Sequence, residues 1–566
     1  MKTAVRGLGL ALVFWTLGLW SCGVQPDNAG NQTLPGDARP HILWLVAEDL
    51  GPYIPPFGDT TVATPSLSRL ASEGIRYTHV FSPSGVCAPS RAAIATGMYP
   101  TAIGAQHMRT GPWYAADPGR EALAAYAARL PPGVVPYEAV PPPGVKMHSE
   151  YLRRAGYYTS NNAKEDYQFR KPVTAWDDSG PEAHWRNRAP GQPFFAIFNL
   201  GVTHESQIWA KADDPMRVDA DLDVLIPPYL PDTDIARRDV RRMYSNIVEM
   251  DEQVGRILAE LEADGLLERT IIFWYADHGG PLPRQKRLLY DSGMRLPLII
   301  RFPTALRAGE IDDQLVSFVD FKPTLLSLAG IELPDYLDGR AFLGDAATTA
   351  PRTYVHAAAD RLDGHHDTIR AVRDSRFKYL RNLHPERGYY LPLPYREQMP
   401  IMQELLRMRD AGELNAMQAQ WFRNSKREEE LFDTERDPHE LNNLAGDPAQ
   451  ASKLAELRAE ADRWMTAIDD QGLMDEPAFF ESIWPDGVQP VTAPPEGERR
   501  GEQMTLQSAT DGASIGYQLL DADAEPGATW QVYVEPVTVG PDRTLVAVAH
   551  RIGYAPSEAV TFAGAP

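Results

Sequence analysis

Apolar runs of strand length alternate with amphipathic stretches along the first half of the chain. Residues 41–47 (His-Ile-Leu-Trp-Leu-Val-Ala), 194–200 and 270–276 are short and almost wholly apolar, and residues 296–302 repeat this character. Residues 240–261 instead place their apolar side chains on one side of a helix. Strands that alternate with helices, and that are apolar on both faces, favour a parallel sheet covered by helices on each side. The pattern therefore predicts an α/β fold built on a large mixed, mostly parallel sheet.

Acidic pairs follow two of these strands directly. Glu48 and Asp49 come after the first strand, and Asp277 and His278 come after residues 270–276. An acidic strand end, taken alone, is usually a helix cap or a solvated turn. In open α/β sheets, however, ligands bind outside the carboxyl ends of the strands. Both pairs are therefore placed where such a fold would bind a ligand.

The pattern changes twice towards the C-terminus. From about residue 353, short strands and a helix that ends near residue 468 predict a smaller α+β subdomain. The proline-rich and charged residues 494–502 predict a linker, and the alternating residues after it are typical of a small β-sandwich. Residues 111–145, rich in Pro, Gly and Ala, predict a long surface excursion. The predicted units are an α/β domain at 41–350, the α+β subdomain at 351–490 and the β-sandwich at 503–566.

The N-terminus has the features of an export signal. A basic start precedes an apolar run at residues 8–20, which is too short for a membrane span and typical of a secretory signal. Its end, Leu-Trp-Ser-Cys, resembles a bacterial lipoprotein box, with a signal at 1–21, acylation of Cys22 and a tether at 22–40. The alternative is a plain signal peptide cut a few residues later. We expect an exported protein of the bacterial periplasm or cell envelope that contacts the membrane only through a lipid anchor.

The net charge and the number of cysteines restrict the possible functions of the chain. A formal net charge of -22 argues against nucleic acid as a partner, although a local cationic cluster could still bind an anion. Only two cysteines are present, so a disulfide framework is excluded. If Cys22 is acylated, Cys87 has no partner. A single thiol in an exported protein is either buried and unreactive or has a chemical function.

The surroundings of Cys87 favour the second interpretation. Cys87 to Arg91 (Cys-Ala-Pro-Ser-Arg) precede a predicted helix that runs to about Gly97, and a helix start favours an anion. Arg91 adds a planar donor fork suited to sulfate or phosphate oxygens. This pentapeptide resembles the signature that formylglycine-generating enzymes oxidise in sulfatases, which share an alkaline-phosphatase-like superfold. The resemblance extends from His41 to about Ile468.

The resemblance implies a divalent cation site. Glu48, Asp49, Asp277 and His278 correspond to the family's two pairs of metal ligands, which hold Ca²⁺ or Mg²⁺. The formylglycine derived from Cys87 is implied as the fifth ligand. Oxygen ligands gathered at loop ends are what such hard cations prefer. Two departures bear on the identity of the metal, because Glu48 stands where Asp is commoner and His278 where Asn is frequent.

The resemblance also implies which residues handle the sulfate. Lys164 and Lys286 correspond to the family's sulfate-binding lysines, and His204 to the histidine that assists the leaving group. Many sulfatases carry a histidine two residues after the first of these lysines, where this chain has Asp166. The set is completed by Arg91 and by two residues expected to line the pocket, His107 and Arg109.

Within the family, the chain most resembles the heparan N-sulfatase (sulfamidase) branch, at residues 223–232, in the helix at 240–261 and at residues 431–440. The tail resembles the small β-sandwich of chitobiases.

The implied reaction begins when a hydrated aldehyde at position 87 attacks sulfur. Its second hydroxyl then collapses to the aldehyde and expels sulfate, which a plain cysteine could not do. A maturation enzyme and a sulfated carbohydrate are thus the expected partners.

Two other functions stay open at this point. Phosphoester hydrolases share the superfold, although they usually place Thr or Ser between two transition metals. The chain could also be an inactive glycan-binding lipoprotein, if Cys87 is never oxidised. The identity of the sugar, the position of the sulfate and the choice between an O- and an N-linked group do not follow from the sequence.

Overall fold

A computed structural model describes residues 39–113, 119–521 and 524–564 of the chain. The predicted signal, Cys22 and most of the tether lie outside the described residues, so export and acylation stay predictions. Among the described helices, none has both the length and the apolar character that crossing a bilayer requires.

A mixed sheet forms the centre of the α/β domain. In the described part of the chain it has eight strands in the order β4-β3-β5-β1-β6-β7-β2-β8. Neighbours are parallel, except that β7 runs antiparallel to both β6 and β2. The strands are β1 (His41–Ala47), β2 (Ile75–Phe81), β3 (Tyr158–Asn162), β4 (Asp178–Ser179), β5 (Phe194–Leu200), β6 (Thr270–Ala276), β7 (Arg295–Arg301) and β8 (Ile311–Ser317). The predicted fold class is confirmed.

The register of the central strands brings their ends together. Every residue of β1 and of β6 is buried, which explains their continuous apolar sequences. Ala47 at the end of β1 lies opposite Leu200 of β5 on one side and Ala276 of β6 on the other. The segments that follow these three strands therefore emerge side by side at one edge of the sheet.

Helices cover the sheet. They are α1 (Pro65–Glu73), α2 (Cys87–Thr96), α3 (Gly119–Ala127), α4 (His148–Arg154), α5 (Ser206–Ala210), α6 (Asp234–Ala263), α7 (Asp291–Met294) and α8 (Phe321–Leu328). Helix α6 begins six residues earlier than the apolar pattern at 240–261 indicates. Its polar first turns are ordered by tertiary contacts, because Asp239 accepts a hydrogen bond of 2.7 Å from the backbone N–H of Ile401 in the subdomain.

The C-terminal subdomain shares the core of the α/β domain. Its antiparallel sheet has the order β12-β11-β10-β9, and one continuous hydrophobic core includes residues of both units. The elements are β9 (Val355–Ala359), β10 (Ile369–Arg373), β11 (Phe377–Asn382), α9 (Pro400–Ala411), α10 (Ala416–Ala419), β12 (Glu429–Asp433), α11 (Ala451–Ala467) and α12 (Glu476–Ile483).

The tail forms two small sheets, β13-β14-β17 and β16-β15-β18-β19, around a separate core. Their strands are β13 (Pro495–Arg500), β14 (Gln503–Ser508), β15 (Ser514–Asp521), β16 (Gln531–Val532), β17 (Val537–Thr538), β18 (Arg543–His550) and β19 (Val560–Ala563). Strand β13 occupies residues predicted as linker. It is an edge strand with mostly exposed side chains, so a charged sequence suits it.

A buried ion-pair group fixes the start of the subdomain. The Arg370 guanidinium is fully buried and forms paired hydrogen bonds to Asp360 (3.0 and 3.2 Å) and to Asp470 (2.5 and 2.8 Å). Removing one partner of such a group leaves uncompensated buried charge. The group therefore holds the loop after β9 against the segment after α11.

We expect Arg370→Met to lower the free energy of unfolding by about 3–5 kcal/mol, because Asp360 and Asp470 would remain buried without their cation. The midpoint of urea unfolding measures the change. Arg376→Met is the matched control, since the Arg376 side chain that pairs with Asp433 is 36% exposed to solvent and should matter less. Equal midpoints for the two variants would contradict this account.

Candidate active site

Cys87 is the first residue of α2 and is fully buried. The helix begins at Cys87 rather than after it, so its free backbone N–H groups belong to the same turn as the thiol. The hydroxyl of Ser90 donates to the main-chain oxygen of Asp277, at the end of β6, and Ser82 donates to Ser90 (2.9 Å). These bonds attach the start of α2 to the carboxyl edge of the sheet.

A carboxylate–imidazole group surrounds the thiol. His278 Nε2 lies 3.3 Å from Cys87 Sγ, 3.0 Å from Asp49 Oδ1 and 3.7 Å from Asp277 Oδ1. Asp49 Oδ1 lies 3.9 Å from Cys87 Sγ. Among the described residues, these four side chains are all buried, and their candidate ligand atoms lie within 4.8 Å of one another. The structure thus brings together four of the five predicted metal ligands.

The charges of this group fit a cation. Burial lowers the pKa of His278, but Asp277, Cys87 and Asp49 outweigh that effect and raise it to about 10. The anionic groups therefore hold a proton on an imidazole that would otherwise be neutral. A divalent ion would meet the same need for positive charge, with oxygen donors from Asp49 and Asp277. Glu48 lies beside this group and pairs with Lys164 Nζ at 3.0 Å.

Three cations lie close to the thiol and contact the same carboxylates. Lys164 Nζ lies 3.9 Å from Asp277 Oδ2, and Lys286 Nζ lies 2.7 Å from Asp49 Oδ2. The Arg91 guanidinium donates to Asp277 Oδ2 through Nε at 3.1 Å and lies 3.8 Å from Glu48 Oε1. Each cation is held by a carboxylate, which keeps its donors in place without substrate. Such fixed positive charge can stabilise an anion without reorganisation.

The electrostatic field of these cations changes the pKa of the Cys87 thiol. Burial raises the pKa of Cys87, but Lys164 and Lys286 oppose it and bring the pKa down to about 6. A negative charge is therefore favoured at the tip of this side chain. The same field would favour the oxygens of a bound sulfate.

His204 lies at the mouth of the site, with 16% of its side chain exposed. Its Nε2 is 3.1 Å from Lys286 Nζ and 3.9 Å from Asp49 Oδ2, while Nδ1 is 2.8 Å from the hydroxyl of Ser206. The Nε2 atom thus faces the charged pocket and Nδ1 faces its own loop. This position suits a group that exchanges a proton with a bound molecule.

Three further residues belong to this group without having been predicted: Glu205, Arg287 and Asn199. Glu205 accepts two hydrogen bonds from Arg287 (2.8 and 2.6 Å) and lies 3.3 Å from Lys286 Nζ. Asn199 Oδ1 accepts from Arg91 Nη1 at 2.7 Å. Two of the three adjoin predicted residues in sequence, since Glu205 follows His204 and Arg287 follows Lys286. Their position next to predicted site residues is the feature of the sequence that could have indicated them.

Asp166 stands where a histidine is common, and it pairs with predicted residues. Arg109 donates to its carboxylate at 3.3 and 2.9 Å, and Lys164 Nζ lies 3.9 Å away. Arg109 is thus linked to the site through Asp166. His107, which was expected to line the pocket, instead lies in a buried aromatic cluster, 2.9 Å from the Tyr137 hydroxyl. Burial lowers its pKa to about 3.

Comparisons with known proteins agree with this geometry. The family model "Sulfatase" matches residues 40–331, and "N-sulphoglucosamine sulphohydrolase, C-terminal" matches residues 284–388. An "Ulvan-active sulfatase" of Formosa agariphila is 51% identical over 95% of this chain and 93% of its own length. The human "N-sulphoglucosamine sulphohydrolase" is a more distant relative, 28% identical over 80% of this chain and 95% of its own.

Solved structures share the fold. A putative sulfatase from Bacteroides thetaiotaomicron superposes with a TM-score of 0.56 at 20% identity, covering 76% of this chain and 93% of its own. A protein in complex with its substrate D-glucosamine-2-N,6-O-disulfate gives a TM-score of 0.53 at 17% identity, covering 77% and 100%. The family inferred from Cys-Ala-Pro-Ser-Arg is confirmed: this chain belongs to the sulfatases, enzymes that hydrolyse sulfate esters.

Proposed function

We propose that this sulfatase removes sulfate groups from a sulfated glycan and that its nucleophile is a formylglycine made from Cys87. The observation that carries the proposal is the position of Cys87, which lies beside a buried group of Asp49, Asp277 and His278 whose carboxylates also pair with Lys164 and Lys286. The relative that is 51% identical is described as ulvan-active, so ulvan oligosaccharides are the first substrates to test.

In this proposal, Lys164, Lys286 and Arg91 bind the sulfuryl oxygens. Their carboxylate partners already hold them around the tip of residue 87, so sulfate binding requires little movement. The charge that develops on these oxygens during attack is then stabilised by donors set in advance. Glu205 and Arg287 keep Lys286 in place from behind.

The hydrated aldehyde at position 87 supplies two hydroxyl groups on one carbon. The oxygen of one attacks sulfur, loses its proton and forms a sulfate ester, while the bond from sulfur to the glycan atom breaks. The second hydroxyl then loses its proton, the carbonyl re-forms, and the carbon–oxygen bond to sulfate breaks. Sulfate leaves, and water restores the hydrate.

His204 gives a proton to the departing glycan oxygen or nitrogen. Nε2 is the atom that faces the pocket, because Nδ1 is engaged with Ser206. Lys286 Nζ lies 3.1 Å from the same Nε2, so the proton donor is placed next to a residue that binds the sulfate group.

We further propose that Asp49, Asp277 and His278, with Glu48 beside them, hold Ca²⁺ or Mg²⁺. When bound, such an ion supplies positive charge that increases the acidity of a hydroxyl and neutralises a sulfuryl oxygen. Arg91 would then be released in part from Asp277 for the substrate.

Cys87→Ala should abolish release of sulfate from ulvan oligosaccharides, by on the order of 10³-fold or more, because the nucleophile is lost. In parent protein made with a formylglycine-generating enzyme, mass spectrometry across residue 87 should show exchange of the thiol for an aldehyde. Sulfate release by parent protein whose thiol is unmodified would refute this mechanism. A thiol that is never oxidised, without turnover, would instead favour an inactive glycan-binding protein.

His204→Ala should lower kcat/KM for a glycan sulfate by about 10²–10⁴-fold, because the leaving oxygen would depart without a proton. The loss should be far smaller with 4-nitrophenyl sulfate, whose phenolate leaves unprotonated. His184→Ala is the control, since His184 pairs with Glu260 away from the described site. Equal losses on both substrates would exclude His204 as the acid.

Treatment with a chelator should abolish activity, and added Ca²⁺ or Mg²⁺ should restore it. Titration calorimetry on the chelated protein should show that Asp277→Asn weakens Ca²⁺ binding by more than about tenfold, because a buried ligand charge is lost. Asp313→Asn, whose exposed carboxylate accepts from the Thr78 hydroxyl, should bind Ca²⁺ as the parent does. Parent-like affinity in Asp277→Asn would place the ion elsewhere.

A further inference from the structure

One loop of the C-terminal subdomain crosses the mouth of the active site. It consists of residues 391–395 (Leu-Pro-Leu-Pro-Tyr), between β11 and α9. At one end Leu391 packs against the apolar group that includes Cys87 and Met108. At the other end the Tyr395 ring lies 6.4 Å from the ring of His204. The loop therefore contacts both the nucleophile's surroundings and the residue proposed to protonate the leaving group.

The loop is held rigidly. Two of its five residues are prolines, and the main-chain oxygen of Pro392 lies 3.0 Å from His365 Nε2. The next residue, Arg396, is buried, donates to the main-chain oxygen of Leu391 and lies over the Trp421 ring at 4.8 Å. The Arg396 guanidinium thus ties the start of the loop to the residue that follows its end, which restrains the backbone that carries Tyr395.

The exposure of Tyr395 is unusual for this protein. Of the large hydrophobic side chains that are exposed in the described ranges, Tyr395 is the sole aromatic one, at 46%. Its ring packs edge-on against partly buried Trp209 at 5.2 Å, which supports it from behind. An exposed aromatic ring that is braced by a second ring and located beside a catalytic site is suited to contact a ligand.

The remainder of the pocket explains why such a ring is needed. The charged side chains Lys164, Lys286 and Arg91 are suited to a sulfate group, whereas the apolar C–H face of the sugar ring that carries it calls for an apolar or aromatic contact. The net charge of -22 also gives no long-range attraction towards a polyanionic glycan. Affinity for the sugar must therefore come from local contacts next to His204.

We propose that Tyr395, supported by Trp209, is the platform on which the sulfate-bearing pyranose ring stacks through its apolar C–H face. The inference rests on the proposed function and adds a specificity-determining residue to it. Stacking beside His204 would bring the bond between sulfur and the glycan oxygen within reach of Nε2. An aromatic side chain provides this contact at small entropic cost, since it has two rotatable bonds.

Tyr395→Ala should raise KM for sulfated ulvan oligosaccharides about five- to tenfold, while Tyr395→Phe should stay within about twofold of the parent. Inhibition by inorganic sulfate should be unchanged in both variants, because Lys164, Lys286 and Arg91 remain in place. A parent-like KM in Tyr395→Ala, or an equal loss of affinity for inorganic sulfate, would overturn the platform. Met417→Ala removes a similarly exposed side chain of the same subdomain (41%) and should behave as the parent.

Binding measured without turnover separates this inference from the proposed function. In a Cys87→Ala background, calorimetry with the same oligosaccharides should show a weakening of about five- to tenfold in Tyr395→Ala and not in Tyr395→Phe. If the parent fails to release sulfate while binding still depends on Tyr395, the proposed reaction is refuted and the platform stands. Melting temperatures close to that of the parent confirm that the variants are folded.

Discussion

The candidate active site depends on the pairing of opposite charges between buried side chains. Asp49 and Asp277 are completely buried, and each is contacted by cations from separate segments of the chain. Burial of either carboxylate alone would carry a large desolvation cost. Mutual pairing keeps both ionised, since Lys286 and the histidines hold the pKa of Asp49 low against the effect of burial. A polar site of this kind is stable only when every partner is present, and so it specifies its own geometry.

The sheet makes this pairing possible. Strands β5, β1 and β6 are adjacent and parallel, so the segments after them deliver His204, Asp49 and Asp277 to one edge. Helix α2 is anchored to the same edge through Ser90, which places Cys87 against the acidic group. Candidate catalytic groups that are far apart in the chain thus occupy one small volume, because parallel strands end together.

Units outside the α/β domain complete the environment of the site. The subdomain contributes the rim loop at 391–395 and shares the main hydrophobic core, so the rim is positioned by the fold rather than by a flexible hinge. The β-sandwich bonds to the segment that precedes Lys164: the hydroxyl of Ser514 donates to Glu150 at 2.6 Å, and Lys146 donates to Ser514 at 2.9 Å. The tail therefore packs against the α/β domain and does not hang from it on a free linker.

The sequence by itself determined the fold class and the family. Continuous apolar strands predicted the sheet, with the bounds of β1, β5 and β6 correct to the residue, and Cys-Ala-Pro-Ser-Arg identified the sulfatases. Local patterns could predict the sheet and the family because strand burial and a short enzyme-recognition signature both depend on residues that are adjacent in the chain. Only the tertiary structure decided that His107 lies in an aromatic cluster, that Arg109 pairs with Asp166, and that Tyr395 faces His204. Those contacts join residues tens to hundreds of positions apart, and pairing at such distances leaves no trace in a local pattern.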